Sequence, residues 1–398
     1  MKKTITIIGG GAAALMLAAQ LDESKFDVTI YERNAALGRK FLVAGDGGFN
    51  LTHSEEIEKF IQRYSPADFF KPILSSFSNT DLRDWLKKIG IETFVGSSKR
   101  VFPIEGIKPI DVLNAILNEL KRKNVAIKTN HIWKGWENDT LILEHNQEIL
   151  NLQSSILIFS LGGSSWKVTG SDGSWINYFS EKGIEVHPFQ ASNCAYQVKW
   201  KSDFISLAEG KSLKNISVKC SNHERKGELV ITKFGLEGGA IYALSPEIRK
   251  QLSETDEAII YLDLKPSLTI EQIKDKFSAR GNRSIKKLLI DRLNLDDIQI
   301  ELLKTILSKD DFTYLEVLAS KIKNLPITIT ATAPIDEAIS TVGGISLTEI
   351  DSNFQLLKMP NTYCIGEMLD WDAPTGGYLL QGCFSMGYRL AEQLNSQK

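Results

Sequence analysis

The chain has 398 residues, 42% hydrophobic and 24% charged, with a net charge of −2. At about 150 residues per domain this predicts two to three domains with a sizeable core, and it excludes disordered and fibrous classes. The near-neutral balance lacks the basic footprint of a dedicated nucleic-acid binder, so no nucleic-acid partner is expected.

Met1-Lys2-Lys3 and the apolar run to Leu21 resemble a secretion signal. The Gly9-Gly10-Gly11 triplet interrupts that run, and a second strand pattern follows at residues 27–31. Residues 4–8 read as a buried parallel strand, 12–21 as a helix and 26–31 as the next strand, which makes an opening βαβ unit. Residues 65–90 read as mostly helical, with Leu82, Trp85, Leu86 and Ile89 on one face. A helix at 110–123, a strand at 125–128, a hairpin over 133–152 and a buried strand at 155–161 follow. From about residue 190 short alternating strands recur to residue 265, with one helix near 241–252, which predicts an antiparallel sheet or small barrel. Residues 269–323 read as helical, 327–332 and 363–365 as strands, and a last helix opens after Gly376. No stretch reaches about 18 uninterrupted apolar residues, so no membrane span is expected. Cys194, Cys220, Cys364 and Cys383 form no CxxC, and the five histidines show no metal-ligand spacing. A reducing, cytoplasmic compartment and no metal are therefore expected.

Three motifs carry chemistry. Gly9-Gly10-Gly11-Ala12-Ala13-Ala14 fits G-x-G-x-x-G/A between a strand and a helix, the fingerprint of a dinucleotide pyrophosphate site. Glu32 ends the second strand, where a carboxylate accepts both hydroxyls of an adenosine ribose. Gly38-Arg39-Lys40 places two cations nearby, and three glycines at residues 45–48 suit a close backbone approach to a cofactor. Gly366-Glu367 and Gly376-Gly377 bracket a strand–loop–helix feature whose helix N-terminus suits the pyrimidine side of a flavin. That C-terminal feature points to FAD, which is long enough to span both ends of such a domain.

These motifs, with FVGSSKRVFP, LGGSSWKVTGSDGSW and GEMLDWDAPTGGYLLQ, identify a chain that resembles the HI0933-like flavoproteins from end to end. The family pattern has Arg and Cys where this chain has Gly48 and Phe49, so no role of those two residues carries over. The resemblance implies an α/β fold, with a glutathione-reductase-like Rossmann domain for non-covalent FAD built from residues 1–189 and 333–398. It also implies an inserted β-barrel at 190–267 and 322–332, and a helical subdomain at 268–321. Implied cofactor contacts are Gly9, Gly11, Ala12, Ala13, Ala14, Glu32, Arg33, Gly38, Arg39, Lys40, Asn50, Thr52, Ile132, Gly163, Gly366, Glu367, Gly377, Tyr378 and Leu379.

The expected activity is hydride transfer between flavin N5 and a small or flat organic substrate, with reduction of a conjugated enone as one form. An FAD-dependent oxidase of a small amine or amino ketone is a second reading. A flavin-binding RNA-modifying or redox-sensing protein is a third. Tyr378, Asp372 and His53, with Asp370 and Lys167, are the candidate acid–base groups near the flavin. Trp166, Trp175 and Trp371 either wall a flat substrate or belong to the core. No second G-x-G-x-x-G follows a strand between residues 130 and 330. Transient NAD(P)H over the flavin and a separate protein donor therefore stay open as the electron source.

Overall fold

The computed structural model describes residues 2–43, 49–278, 281 and 283–397. It divides into two compact units, residues 1–190 with 339–398, and residues 191–338. The first unit is built on a five-stranded parallel sheet in the order Thr362–Cys364, Ile156–Phe159, Lys3–Ile8, Phe26–Tyr31, Ala126–Lys128. Ile5, Ile7 and Ile8 are buried, as expected of a central parallel strand covered on both faces. The neighbours of Lys3–Ile8 come from the following strand on one side and from a distant segment on the other. The order therefore reverses at its carboxyl end, which is where such sheets bind ligands.

The helix Ala12–Gln20 leaves Gly11 and is almost wholly buried, because its alanines let neighbours approach closely. The last helix, Tyr378–Ser396, lies directly against it. A Cβ on Gly387 would sit 2.4 Å from Ala13 O, so no side chain fits at that crossing. At the far ends Asn395 bonds Gln20 O and Asp22 N. Ala13 faces Gly387 while Gln20 faces Asn395, so the two helices run in the same direction and open at the same end.

Among the described residues this unit also holds two three-stranded antiparallel sheets. One joins Ile132–Glu137, Thr140–His145 and Glu148–Leu152, with Trp133 and Trp136 packed on Phe159 and Phe179. The other joins Thr52–His53, Arg100–Pro103 and Thr93–Val95. The helix Asn79–Lys88 is started by a reciprocal cap between Ser78 and Asp81.

Among the described residues the second unit is a seven-stranded antiparallel sheet with five helices between residues 270 and 323. The two edge strands, Leu325–Ile329 and Ala331–Thr332, are consecutive in the chain, with only Thr330 between them. One extended segment thus supplies both edges, so the sheet is strongly curled. Ser284, Asp296 and Ser308 cap three of the helices. The buried faces of these helices share one core with the sheet. Among the described residues no helix is long and apolar enough to cross a membrane, and no group of three His, Cys, Asp or Glu could hold a metal ion.

Candidate functional site

The glycine-rich turn takes its shape from its surroundings. Gly9 has φ +97°, and a Cβ there would lie 2.3 Å from Ser160 O. At Gly10 a Cβ would lie 2.5 Å from Leu37 Cγ. Gly11 differs, since a Cβ there meets nothing within 4 Å. The space above Gly11 is open, and it faces the first N–H groups of a helix with no side-chain cap and no acidic residue in its first turn. Uncapped N–H groups and the helix dipole together favour an anion at this point.

Glu32 is buried and braces this turn. Its Oε2 accepts from Gly10 N at 2.8 Å, and its Oε1 accepts from Asn34 N and Nδ2 at 2.9 and 2.8 Å. A carboxylate has about four acceptor positions, so capacity remains for a hydroxyl. Gly38 N donates to Gly10 O at 2.9 Å, which carries the short helix Arg39–Val43 up to the turn. Arg39 Nη1 donates to Asn34 Oδ1 at 2.8 Å, and Arg33 pairs with Asp172 at 2.7 Å. Lys40 Nζ lies 3.0 Å from both Glu367 Oε2 and Ser165 Oγ. It thereby ties the N-terminal motif to the C-terminal one, a distance of 327 residues in sequence. Gly163 touches Thr341, and His131 N bonds Glu32 O, which leaves half-exposed Ile132 beside the Glu32 end.

The second helix N-terminus lies at the same end of the sheet. Gly377 has φ +96°, and a Cβ there would press within 2.5 Å of Thr52 Cα. The helix Tyr378–Ser396 has no side-chain cap, so the Tyr378 and Leu379 N–H groups are unclaimed by any cap. Thr52 Oγ1 is buried with no hydrogen-bond partner among the described residues. A buried hydroxyl normally has a partner, so this orphan beside a helix N-terminus fits a bound group. The open cradle at Gly11, the bare N-terminus after Gly377 and the Thr52 hydroxyl are the features expected for pyrophosphate and flavin ends of FAD. Asn50 stands two residues before Thr52, while the glycines at 45–48 and their expected contact lie outside the described residues.

A network absent from the sequence reading surrounds Tyr378. Its hydroxyl donates to Glu55 Oε1 at 2.5 Å, and Arg63 grips both Glu55 oxygens at 3.0 and 2.9 Å. The Tyr64 hydroxyl donates to Tyr378 O at 2.6 Å. Burial and the Glu55 carboxylate push the Tyr378 hydroxyl far up, so it keeps its proton. Burial alone would raise the Glu55 carboxyl, but the Arg63 and Tyr378 bonds hold it below its ordinary value. Glu55 therefore stabilises the fold fully above the ordinary carboxylate value of about 4.3. That contribution is lost as the pH falls from there through the lowered folded value. Arg63→Met should lift the folded value of Glu55 back towards the ordinary one and so shrink this acid loss of stability, measured by urea unfolding at a series of pH values; an acid loss of unchanged size would contradict the assignment.

His53 stacks on Tyr378 with ring centroids 5.3 Å apart. Its Nδ1 accepts from Glu55 N at 3.2 Å, which assigns the proton to Nε2. Burial lowers its pKa, and Arg63 and Arg100 add to that, so the ring is neutral near pH 7. Asp372 is buried, its Oδ1 accepts from Ala373 N, and its backbone pairs with Ser65 in both directions. That arrangement shapes a turn. Asp370 is engaged too, by His187 Nδ1 at 2.7 Å and Gly343 N at 2.9 Å. The aromatic wall does not form: Trp371 is buried against Tyr64 and Phe70, and Trp175 against Phe179, while Trp166 stays partly exposed. Phe49 is likewise core, packed edge-on against Phe41.

Comparison with known proteins gives the family of this chain. The family model described as HI0933-like protein Rossmann domain matches residues 3–393. The chain is 25% identical to the 3-dehydro-bile acid delta(4,6)-reductase of Clostridium scindens, over 96% of this chain and 97% of that one. It is 24% identical to the ribosomal RNA dihydrouridine synthase of Haemophilus influenzae, over 98% of each. Among solved structures, the 3-ketosteroid delta1-dehydrogenase of Sterolibacterium denitrificans aligns with a TM-score of 0.49 at 12% identity, covering 100% of both chains. A flavocytochrome c3 fumarate reductase aligns with a TM-score of 0.49 at 13% identity, over 99% of this chain and 78% of that one. The chain belongs to the HI0933-like family, and it is an FAD-dependent oxidoreductase.

Proposed function

We propose that the protein reduces a carbon–carbon double bond conjugated to a carbonyl group in a flat organic substrate. The observation that carries this reading is a chemistry shared by two relatives that align along nearly the whole chain. One is named for reducing 4,6 double bonds in a 3-dehydro, hence 3-keto, bile acid; the other is named for forming dihydrouridine. Both names describe addition of two hydrogens across a double bond conjugated to a carbonyl. The redox chemistry, hydride delivery to the β-carbon, would be supplied by FAD bound in the cradle described above.

In this reading the unit of residues 1–190 and 339–398 holds the cofactor. Gly11 and the Ala12, Ala13 and Ala14 N–H groups take the pyrophosphate, flanked by Arg39 and Lys40. Glu32 takes the ribose, with Arg33, Ile132 and Gly163 around the adenosine half. Asn50, Thr52, Gly366, Glu367, Gly377, Tyr378 and Leu379 line the flavin half. The Tyr378 proton stays on the Glu55 hydrogen bond, and the α-carbon takes its proton from solvent. A reduced nicotinamide, NADH or NADPH, supplies the two electrons.

The test is anaerobic. The flavin absorbance of the purified protein should bleach with NADH or NADPH. It should return on addition of 4-androstene-3,17-dione, 2-cyclohexenone or a uridine-containing RNA, with a product two hydrogens heavier. The RNA arm separates a nucleic-acid substrate from a small one. A reduced flavin that none of these reoxidises, together with hydrogen peroxide release on aerobic turnover of an amine, would replace this reading with an oxidase.

A further inference from the structure

The motif FVGSSKRVFP has no part in the cofactor cradle, yet the fold brings it to the cradle's flavin end. Its strands, Thr93–Val95 and Arg100–Pro103, pair with each other and with Thr52–His53. The register places Arg100 opposite His53 and Phe94 opposite Phe102. Directly opposed residues share a face, and so do residues two apart on one strand. His53, Arg100, Phe102 and Phe94 therefore stand on one face of this sheet. Val101, on the other face, is fully buried.

This face is unlike an ordinary surface. The Phe94 and Phe102 rings are stacked with centroids 5.7 Å apart and an interplanar angle of 28°, and Phe94 remains 48% exposed. Gly96 lies under Phe102, where a Cβ would come within 3.0 Å of the ring. Arg100 is half-buried, and among the described residues its guanidinium has no hydrogen-bond or ion-pair partner. Its Nε would lie 3.4 Å from a Cβ on Gly376, directly over the turn that starts the helix Tyr378–Ser396. His53, next to it, stacks on Tyr378, the first residue of that helix. An aromatic pair, an unengaged guanidinium and a bare helix N-terminus thus adjoin one another.

We propose that this face is the substrate subsite: the Phe94–Phe102 pair takes the flat ring, and Arg100 takes the oxygen of the conjugated carbonyl. The proposal rests on the double-bond reduction argued above and adds the residues that recognise the substrate. Hydride addition to the β-carbon breaks the carbon–carbon π bond and moves its electron pair onto the carbonyl oxygen. A guanidinium at that oxygen stabilises the developing negative charge more than the neutral carbonyl, which accelerates the step. A proton from solvent then reaches the α-carbon and the carbonyl re-forms. The two electrons come from reduced nicotinamide through the flavin, and the substrate gains two hydrogens. Arg suits the role better than Lys, because its planar fork stacks beside aromatic rings and holds its charge at every working pH.

The experiment reads binding as well as turnover. 4-Chlorophenol, whose phenolate is a flat ring bearing an oxyanion, is titrated into the oxidised FAD-loaded protein, following the flavin spectrum. The wild type should show a saturable long-wavelength band. Arg100→Gln should weaken the phenolate at least about tenfold, the loss expected for a charge-assisted bond, and Arg100→Lys should fall between them. Phe102→Ala should also weaken it, while FAD content stays unchanged in all three variants. Wild-type affinity in Arg100→Gln, or no band in the wild type, would overturn the subsite. Arg100-dependent phenolate binding in a protein that no enone reoxidises would keep the subsite and remove the double-bond reading instead. With an enone that reoxidises the wild type, Arg100→Gln should lower kcat more than it raises KM; a change confined to KM would overturn the assigned role in stabilising charge.

Discussion

Gly11→Val is expected to yield a folded protein that has lost most of its FAD. Gly11 is extended, with φ −81° and ψ −175°, a conformation open to any residue. A Cβ there meets no protein atom within 4 Å, so the substitution brings no clash inside the chain. The added atoms instead fill the cradle over the first N–H groups of the helix Ala12–Gln20. An overpacked contact costs about 1–3 kcal/mol, so FAD affinity should drop about tenfold to a hundredfold. The flavin-to-protein absorbance ratio after gel filtration and the far-ultraviolet circular dichroism read the two halves of this prediction separately. Native FAD content in a folded Gly11→Val protein would move the pyrophosphate away from this turn. Gly9 and Gly10 lack this property, because side chains there collide with Ser160 O and Leu37 and would test the fold instead.

Gly377→Ala should damage the fold itself. Gly377 has φ +96°, outside the region that residues with a side chain tolerate. Its Cβ would lie 2.5, 2.6 and 2.7 Å from the Cα, C and N atoms of Thr52, all backbone atoms that no side-chain rotation can move. Left-handed backbone costs about 1–2 kcal/mol and forced overpacking about 1–3 kcal/mol, so a loss of about 2–5 kcal/mol follows. Urea unfolding would measure it, with the flavin half of the cofactor site loosened as well, because Thr52 would be displaced from the helix N-terminus. An unchanged midpoint would show that Thr52 and Gly377 are not in this contact.

Local patterns carried much of the fold. Thr4 to Ile8 are β-branched and apolar, and a run of that kind suits a strand buried on both faces, so the opening βαβ unit was legible. The spacing of Leu82, Trp85 and Leu86 matched the buried face of Asn79–Lys88. These features are set by interactions within a few turns or strands, and periodicity records those directly.

The flavin end of the site depended on contacts far apart in sequence. Glu55 and Arg63 sit eight residues apart, and their partner Tyr378 is 323 residues beyond Glu55. His53 and Asp372 are candidate acid–base groups in the sequence, and in the fold each is held by local backbone bonds. Tyr378 keeps its proton because burial and a carboxylate meet at its hydroxyl, a coincidence that no spacing encodes. Arg100 was visible only as one letter of a family motif, until strand register set it opposite His53 and over Gly376. The sequence by itself determined the Gly-rich turn, the acid at the end of the second strand and the family, since each is a short-range pattern tied to backbone geometry. Tertiary structure alone decided which charges are paired, which protons are held and which cation is left to meet a substrate, because those properties arise where distant segments exclude water and face one another.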